Sequence, residues 1–436
     1  MIRIRSHSAA AALALGACLA APPAARAIDI GYRSFSGSAT MGPQAEAFSA
    51  KLDALSSLAL GAGRGVRFVR LAGLPAIPAQ FNGSVVAAVG AGAAGGGFDA
   101  AYNSGSELNK TWGFIYNSGV PFGPGFEEFL GFLHGRAVDG KTTGLELLQA
   151  TLDARRRNVV ALPIVGSSEQ LSGYFSKPLA DAGGVKGIGL AGLCQQDWTF
   201  RYLPPGEYVL GRACDDLVAA GTIPAKRIKF IAAIPGGGSL VAAVKAGQLQ
   251  AFEFATPADD LSQLFGGADN PGTVGVRFVH LPGWQQQFLI TWLLVNKSVW
   301  STLTPAQQAL TYSVARDHLL ASYGENMRLQ GEALATILSA NRADADPEND
   351  LVLSAWPAQD QERMSLASGR FLEARAQDGS LPAEDREDFR VILGALRKYV
   401  LANDPYWRER GVRPQLRFEG WGAAAGAKAA SASRAP

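Results

Sequence analysis

Arg201 and Glu253 are charged residues within otherwise apolar, strand-like stretches. Arg201 lies in WTFRYLPPG, and Glu253 lies between two phenylalanines in GQLQAFEFATPADD. An arginine at the end of a parallel strand, before a turn and a helix, points at the crevice in which α/β proteins bind ligands. Its planar guanidinium matches a carboxylate with two parallel hydrogen bonds. The residues support a second interpretation equally, in which Arg201 pairs with a structural acid or reaches solvent at the strand end.

Glu253 also allows two interpretations. Strand alternation would place it at the surface between buried Phe252 and Phe254. A buried carboxylate would instead need a partner, because an unpaired buried charge is strongly unfavourable. Asp259 and Asp260 follow in the next turn, where acidic side chains typically cap a helix.

Motifs of known catalytic sites are scarce. Gly90-x-Gly92-x-x-Gly95 has the outline of a dinucleotide-binding fingerprint. It runs into the strand-like FDAAY and opens no helix, so we interpret it as a helix end followed by a loop. The chain contains no G-x-S-x-G and no H-E-x-x-H sequence, and its His and Cys residues are too few and too scattered to indicate a triad or a zinc site.

The composition is that of a globular protein long enough for two or three domains. Of 436 residues, 47% are hydrophobic and 18% are charged, which argues against disorder. The 40 basic and 38 acidic residues nearly balance. Because no basic run accompanies an aromatic platform, nucleic acid is not an expected partner.

The N-terminus has the features of a secretory signal peptide over residues 1–27. A basic MIRIR precedes an apolar stretch at 9–20 that is too short to span a bilayer, and an A-R-A cleavage sequence precedes Ile28. We therefore expect a periplasmic mature protein, with a lipoprotein anchored through Cys18 as the alternative. In an oxidising compartment Cys194 and Cys214 could form a disulfide or remain two buried thiols.

Strand-like and helical patterns alternate along the chain, which predicts an α/β fold with mostly parallel sheets flanked by helices. A long helical pattern follows Thr304, which is expected to be its N-cap, with Pro305 in the first helical position. A helix of this length often bridges two lobes. The Gly/Ala/Ser-rich end of the chain is expected to be disordered.

Several stretches, in their order, resemble one known family. They are FDAAYNSG, SGVPFGPGFEEFLGFLHG, NVVALPIVGSSEQLSGYFSKPL, LVAAVKAGQLQAFEFATPADD and LPGWQQQFLITWLLVNKSVWSTLTPAQQ. Together they are similar to the extracytoplasmic solute-binding proteins of TRAP (tripartite ATP-independent periplasmic) transporters, especially the branch that binds 2-oxo acids. The resemblance covers residues 28–400.

The resemblance implies a two-lobed clamshell with a ligand cleft between the lobes. We expect lobe I at 28–155 and 256–282, lobe II at 156–255 and 283–325, a bracing helix at 304–340, a C-terminal helical region at 341–419 and a disordered tail at 420–436.

The resemblance also implies that Arg201 grips the carboxylate of the ligand. The family arginine normally follows a Lys-Gly pair closely, whereas a gapless alignment after Lys186-Gly187 would place Ala191 there. We prefer an insertion, LAGLCQQDWT, because Arg201 alone has a strand, a turn and a helix in the right order. Arg212, which falls within a helical pattern, is the fallback.

In the 2-oxo acid branch a cation lies beside the carboxylate, and its ligands match Gln170, Glu253, Phe254 and Gln286 here. Phe254 replaces a tryptophan, and Gln286 replaces a glutamate and removes one negative charge. Na⁺ would still be satisfied, Ca²⁺ would be served less well, and the resemblance does not make a cation obligatory.

The remaining expected ligand contacts are Tyr102, Asn103, Phe35 and Trp284. The implied function is capture of a small organic acid for a membrane permease, without catalysis, by a monomer or a homodimer. The alternative is a secreted hydrolase or another enzyme with a dispersed active site.

Overall fold

The computed structural model describes ten segments of the chain. The signal peptide, Cys18, Phe35 and the C-terminal tail lie outside them, so those predictions are not addressed by the structure. The described residues are 28–34, 41–71, 77–82, 84–104, 108–136, 141–202, 204–231, 238–266, 275–340 and 351–409.

The first sheet has five strands in the order β2-β1-β3-β10-β4. The strand β10 runs antiparallel to both of its neighbours, and the other strands are parallel to one another. Its strands are long, and every residue of β4 is buried. They are β1 (Ile28–Ser34), β2 (Val66–Arg70), β3 (Ala100–Ser104), β4 (Val159–Ser167) and β10 (Leu289–Asn296).

The second sheet has six short strands in the order β11-β9-β5-β8-β6-β7. Here β5 runs antiparallel to its neighbours, and the other strands share one direction. They are β5 (Gly173–Phe175), β6 (Thr199–Arg201), β7 (Lys229–Phe230), β8 (Ala251–Phe252), β9 (Phe278–Leu281) and β11 (Val352–Ala355).

Helices flank both sheets, which confirms the predicted α/β class of mostly parallel sheets. They are α1 (Met41–Leu60), α2 (Val85–Ala91), α3 (Gly113–Ser118), α4 (Phe126–His134), α5 (Gly144–Ala154), α6 (Gly189–Cys194), α7 (Pro204–Ala219), α8 (Gly238–Lys245), α9 (Pro257–Gln263), α10 (Lys297–Trp300), α11 (Pro305–Ala340), α12 (Ala358–Gln377) and α13 (Ala383–Glu409).

The chain passes between the sheets at 168–172 and at 282–288, which we call the crossing segments. The sheets therefore divide the chain differently from the expected lobe boundaries, since β4 and β10 belong to the first sheet and β9 to the second. The reason is pairing: β10 lies against β4 along its whole length, which buries two strongly apolar strands together. We call the first sheet with its helices the first lobe, and the second sheet with its helices the second lobe.

The long helix α11 braces both lobes, as the sequence predicts. The hydroxyl of Thr304 accepts a hydrogen bond from the backbone of Gln307, whose side chain accepts one from the Thr304 backbone, and this capping box fixes its start. Near that end Val314 packs in the core of the first lobe. Near the other end Ile337 packs in a core of the second lobe.

The region expected to be only helical also supplies a strand, β11, which the sequence analysis missed. After it, α12 contacts both lobes. The Ser368 hydroxyl donates to the carbonyl of Pro121 at 2.8 Å, and Asp360 accepts from the backbone of Leu190 at 2.7 Å. This helix is therefore a second connection across the molecule.

Cys194 and Cys214 form a disulfide between α6 and α7, with a Cα–Cα distance of 5.6 Å. The segment interpreted as an insertion thus forms a helix that is covalently joined to the next one. The glycine run lies at a helix end, as predicted. The helix α2 ends at Ala91, and a 3-10 turn at Ala93–Gly95 follows in place of the α-helix that a dinucleotide-binding fingerprint would open. Among the described residues, none of the helices combines the length and apolarity that crossing a membrane requires.

Candidate functional site

Arg201 and Glu253 meet at the carboxyl ends of the parallel strands β6 and β8. The backbone N–H of Glu253 donates to the carbonyl of Arg201 at 3.0 Å. The Nη1 atom of Arg201 donates to the carbonyl of Glu253 at 2.6 Å and to its carboxylate at 3.4 Å. The guanidinium also lies 6.0 Å from the ring centroid of Phe254. Arg201 therefore lies at the end of a parallel strand, as the sequence predicts.

Glu253 is buried, so the interpretation as an exposed strand residue is wrong. Its side chain is 0% exposed and that of Arg201 is 13% exposed. The strand β8 ends at Phe252, and alternation therefore no longer governs the orientation of Glu253. Arg201 supplies the counter-charge that a buried carboxylate requires.

Arg201 keeps donors for another group. Within the described part of the chain, its Nε and Nη2 atoms form no hydrogen bond, and all its polar contacts are made through Nη1. The side chain is held by one nitrogen while the remaining edge of the guanidinium stays partly exposed. That arrangement leaves a bidentate face for a carboxylate.

The crossing segments lie against each other. The backbone N–H of Gln170 points at the carbonyl of Gln286 at 3.4 Å, and that of Ser172 donates to His280 at 2.9 Å. A Cβ on Gly283 would lie 1.7 Å from the Gln170 carbonyl oxygen, so only glycine allows this approach. Residues far apart in the chain are thereby brought together.

Buried amide oxygens cluster on these segments. The Oε1 atoms of Gln170, Gln285 and Gln286 have no hydrogen-bond partner among the described residues. Gln170 and Gln286 are 5% and 8% exposed. The Nε2 atom of Gln285 donates to the carbonyl of Leu171 at 2.7 Å, which fixes the orientation of that amide. Buried acceptors of this kind are normally satisfied by water or a ligand.

Trp284, one of the expected ligand contacts, lies in an aromatic stack. Its ring stacks on Phe122 at 5.2 Å and on Tyr202 at 5.9 Å, and Trp356 packs against its edge. Its Nε1 has no partner among the described residues. The stack joins the loop before α4 to the second lobe.

Tyr202 was not predicted from the sequence, and it connects Arg201 to the stack around Trp284 and to the first crossing segment. It follows Arg201 directly, stacks on Trp284 and donates its hydroxyl to the carbonyl of Ser172. Burial raises the pKa of Tyr202 well above its usual range, and the charge of Glu253 adds to that rise. The sequence signal that could have identified Tyr202 was its position directly after Arg201, which ends β6.

The two expected contacts on β3 differ. Tyr102 lies in the core of the first lobe, packs on Tyr32 at 4.4 Å and shares a hydrogen bond with Ser49, so it serves packing. Asn103 is also buried, and its Nδ2 has no partner among the described residues. It pairs with Trp292 in the sheet rather than with the Arg201 group.

The two acids that follow Glu253 lie in the first turn of α9, whose N-cap is Thr256 rather than either of them. Asp259 accepts from the Thr256 hydroxyl at 3.1 Å. Asp260 accepts from the backbone of Ala255 at 3.0 Å and from the Tyr174 hydroxyl at 2.8 Å. Burial raises the pKa of the Asp260 carboxyl well above its usual range, and the charges of Glu253 and Asp259 raise it further.

Arg212, the fallback, lies elsewhere. It is exposed on α7, forms a pair with Asp216 at 3.5 Å and lines a groove of about 660 Å³ between α7 and α12. A second cavity, of about 540 Å³, opens beside Gln170 between α4 and α11. Glu127, Glu128 and Glu169 line it without any basic residue, so it is poorly suited to an anion.

Two histidines of the described segments bond to backbone groups. The Nε2 atom of His280 accepts from the backbone of Leu179, and that of His318 contacts the carbonyl of Gln44. No hydrogen bond between described residues joins a histidine to a serine hydroxyl.

No protein-family profile and no curated protein matches the chain. Solved structures do match. A TRAP transporter solute-binding protein from Bordetella bronchiseptica aligns with a TM-score of 0.61 and 16% identity over 94% of this chain and 100% of its own. Periplasmic TRAP solute-binding proteins from Colwellia psychrerythraea and Pseudoalteromonas atlantica align with TM-scores of 0.58 and 0.56 and identities of 15% and 14%. Each alignment covers 88% of this chain, and 100% and 99% of theirs.

This chain has the fold of the TRAP solute-binding proteins. The Bordetella protein is a mixed-occupancy dimer with copurified calcium and picolinate in one site. The Colwellia protein contains calcium and pyruvate, and the Pseudoalteromonas protein contains sodium and pyruvate. The fold therefore raises the question of whether the residues here could hold a cation.

The expected donors fit a divalent cation poorly. Gln170 and Gln286 offer neutral amide oxygens and Phe254 a neutral carbonyl, so Glu253 is the sole anionic donor of the set. Its carboxylate already faces the guanidinium of Arg201. Within the described residues, no group of three or more His, Cys, Asp or Glu side chains is arranged to hold a metal ion. Hard divalent cations require oxygen ligands that neutralise their charge.

Proposed function

We propose that the mature protein is a periplasmic solute-binding protein that captures a small organic carboxylate and delivers it to a TRAP-type permease. The observation that carries the proposal is the partly exposed guanidinium of Arg201, which is fixed through Nη1 at the ends of two parallel strands while its other edge has no partner among the described residues. A carboxylate fits that edge.

The surroundings of Arg201 support small polar ligands. The first crossing segment approaches Arg201 through Tyr202, whose hydroxyl donates to the carbonyl of Ser172. The amide oxygens of Gln170 and Gln286 on the crossing segments can accept hydrogen bonds from a ligand or from water. Both segments connect the two lobes, so a ligand held there would contact the parts of the chain that must bend when the lobes close. The neighbours that bind pyruvate and picolinate make 2-oxo acids and aromatic acids the first candidates.

The test is a thermal-shift screen with pyruvate, lactate and picolinate, followed by calorimetry on the acid with the largest shift. We expect Arg201→Ala to weaken binding by at least about 100-fold, because a charge-assisted bidentate contact is lost. Arg227→Ala is the matched control, since Arg227 also pairs with an acid of the second lobe but is exposed.

Equal affinity in Arg201→Ala and in the control would rule out Arg201 as the anchor. A binding protein must also return its ligand unchanged, so NMR of the recovered acid separates capture from catalysis. Conversion of the acid would favour the enzyme alternative. For a bound acid, the unfolding free energy should rise as RT ln(1 + [L]/Kd).

A further inference from the structure

We propose that Arg201, and not a metal ion, neutralises Glu253 in this protein, and that ligand capture is independent of Ca²⁺ and Na⁺. The inference rests on the proposed function, because it concerns the same site. It assigns Glu253 the role of a permanent counter-ion to the arginine that meets the ligand.

The contacts of Arg201 carry the first step. Its Nη1 atom lies 2.6 Å from the carbonyl oxygen and 3.4 Å from the carboxylate of Glu253. One guanidinium nitrogen therefore occupies the carbonyl oxygen and one of the two carboxylate oxygens, Oε2, of Glu253. A metal ion on the same oxygens would lie beside a fixed positive charge in a buried place, where electrostatic repulsion is poorly screened.

The charge of the donor set carries the second step. Glu253 contributes one negative charge, Arg201 cancels it, and a glutamine rather than an acid occupies position 286. The expected donor set then offers a dication no net negative charge, and the ligand carboxylate would have to supply it. The amide oxygens of Gln170 and Gln286 can instead accept hydrogen bonds from the ligand or from a water molecule.

Burial of Glu253 carries the third step. An ionised side chain that is 0% exposed needs a counter-charge in the absence of ligand too, and Arg201 is present at all times whereas an ion must be recruited. The carboxylate also competes with an incoming anion for the guanidinium. Removing its charge, while keeping an acceptor for Nη1, should therefore favour the anion.

The first experiment is calorimetry on metal-stripped protein with the tightest binder among pyruvate, lactate and picolinate. Titrations are run in choline chloride, in NaCl and in CaCl₂ at matched ionic strength. We expect dissociation constants within about twofold of one another, since matched salts screen the Arg201 contact equally. A tenfold or greater tightening by Na⁺ or Ca²⁺, which corresponds to about 1.4 kcal/mol, would overturn the inference.

A second measurement needs no acid. Ca²⁺ alone should not raise the melting temperature of the metal-stripped protein above the value in choline chloride. A clear rise would show a cation site in the unliganded protein and would contradict the inference.

The decisive variant is Glu253→Gln, with Asp197→Asn as the matched control, because Asp197 is an exposed acid of the same lobe that pairs with Arg227. We expect Glu253→Gln to tighten acid binding by about three- to tenfold and the control to leave it unchanged. Unchanged or weaker binding in Glu253→Gln would contradict the counter-ion role, and weaker binding is the outcome for a metal ligand. Absence of acid binding in every buffer would overturn the proposed function together with this inference, whereas binding that needs a cation overturns only the inference.

Discussion

The two lobes solve the same folding problem with strands of different length. Strands of the first sheet have five to nine residues and their side chains fill two large cores. Strands of the second sheet have two to four residues. The residue that follows a short strand no longer has to follow the alternating side-chain orientation of the strand. Arg201 ends β6 and Glu253 follows β8, so the site residues arise from this brevity.

The two lobes differ in what stabilises them and in where they place charged groups. In the first lobe, long neighbouring strands hydrogen-bond their backbone groups to one another. The second lobe places charged groups at strand ends and depends on other features for its stability, including the disulfide and the aromatic stack around Trp284. Substitutions that remove one of these features test this difference between the lobes.

Removing the disulfide should have the largest effect. Replacement of Cys194 and Cys214 by Ala is expected to lower the unfolding free energy by about 3 kcal/mol, because a cross-link spanning 20 residues no longer restricts the unfolded chain. Denaturant unfolding of the variant measures this. Oxidised and reduced wild-type protein provide the control, and equal stability of the two would show that the second lobe does not depend on the bond.

The buried histidine of the second sheet should make stability depend on pH. Burial lowers the pKa of His280 to about 3, so the folded protein resists a proton that the unfolded chain accepts near its ordinary pKa. Acidification from about pH 8 to about pH 5 should cost about 2 kcal/mol through this group. In His280→Gln, which keeps an acceptor for the Leu179 N–H, that part of the loss should vanish. Identical pH dependence of the two proteins would contradict the assignment.

Two of the buried tryptophans, Trp292 and Trp284, allow the two lobes to be compared directly. The Nε1 atom of Trp292, in the first sheet, donates to the carbonyl of Tyr116 at 3.1 Å, whereas that of Trp284 has no partner among the described residues. Trp292→Phe should therefore cost about 1 kcal/mol more than Trp284→Phe, because it also breaks a buried hydrogen bond. Denaturant unfolding of both variants is the measurement, and the reverse order would refute the comparison.

The smallest effect is expected at the surface of the second lobe. Arg227→Ala removes an exposed pair with Asp197 and should change the unfolding free energy by about 0.5 kcal/mol or less. A thermal melt tests it. A larger loss would mean that the short strands β6 and β7 rely on surface charges, since Arg227 also joins their region through its backbone bond to Cys194.

Local patterns predicted the α/β class, the start of α11 at Thr304 and the position of Arg201 between a strand and a helix. Those features depend on neighbours in the chain, so short windows of sequence suffice to find them. The strand β11 was missed because its four residues lie in a region of helical patterns, and its pairing with β9 is a tertiary event.

The amino-acid sequence by itself determined which residues carry charge, that α11 begins after Thr304 and that strands alternate with helices. The tertiary structure decided that Glu253 is buried against Arg201, that Gln170 lies against Gln286, that Tyr102 belongs to the core and that β4 and β10 share one sheet. The physical reason is range: backbone preference and periodicity act over a few residues, whereas these contacts join segments 50 or more residues apart, as the 52-residue separation of Arg201 and Glu253 illustrates.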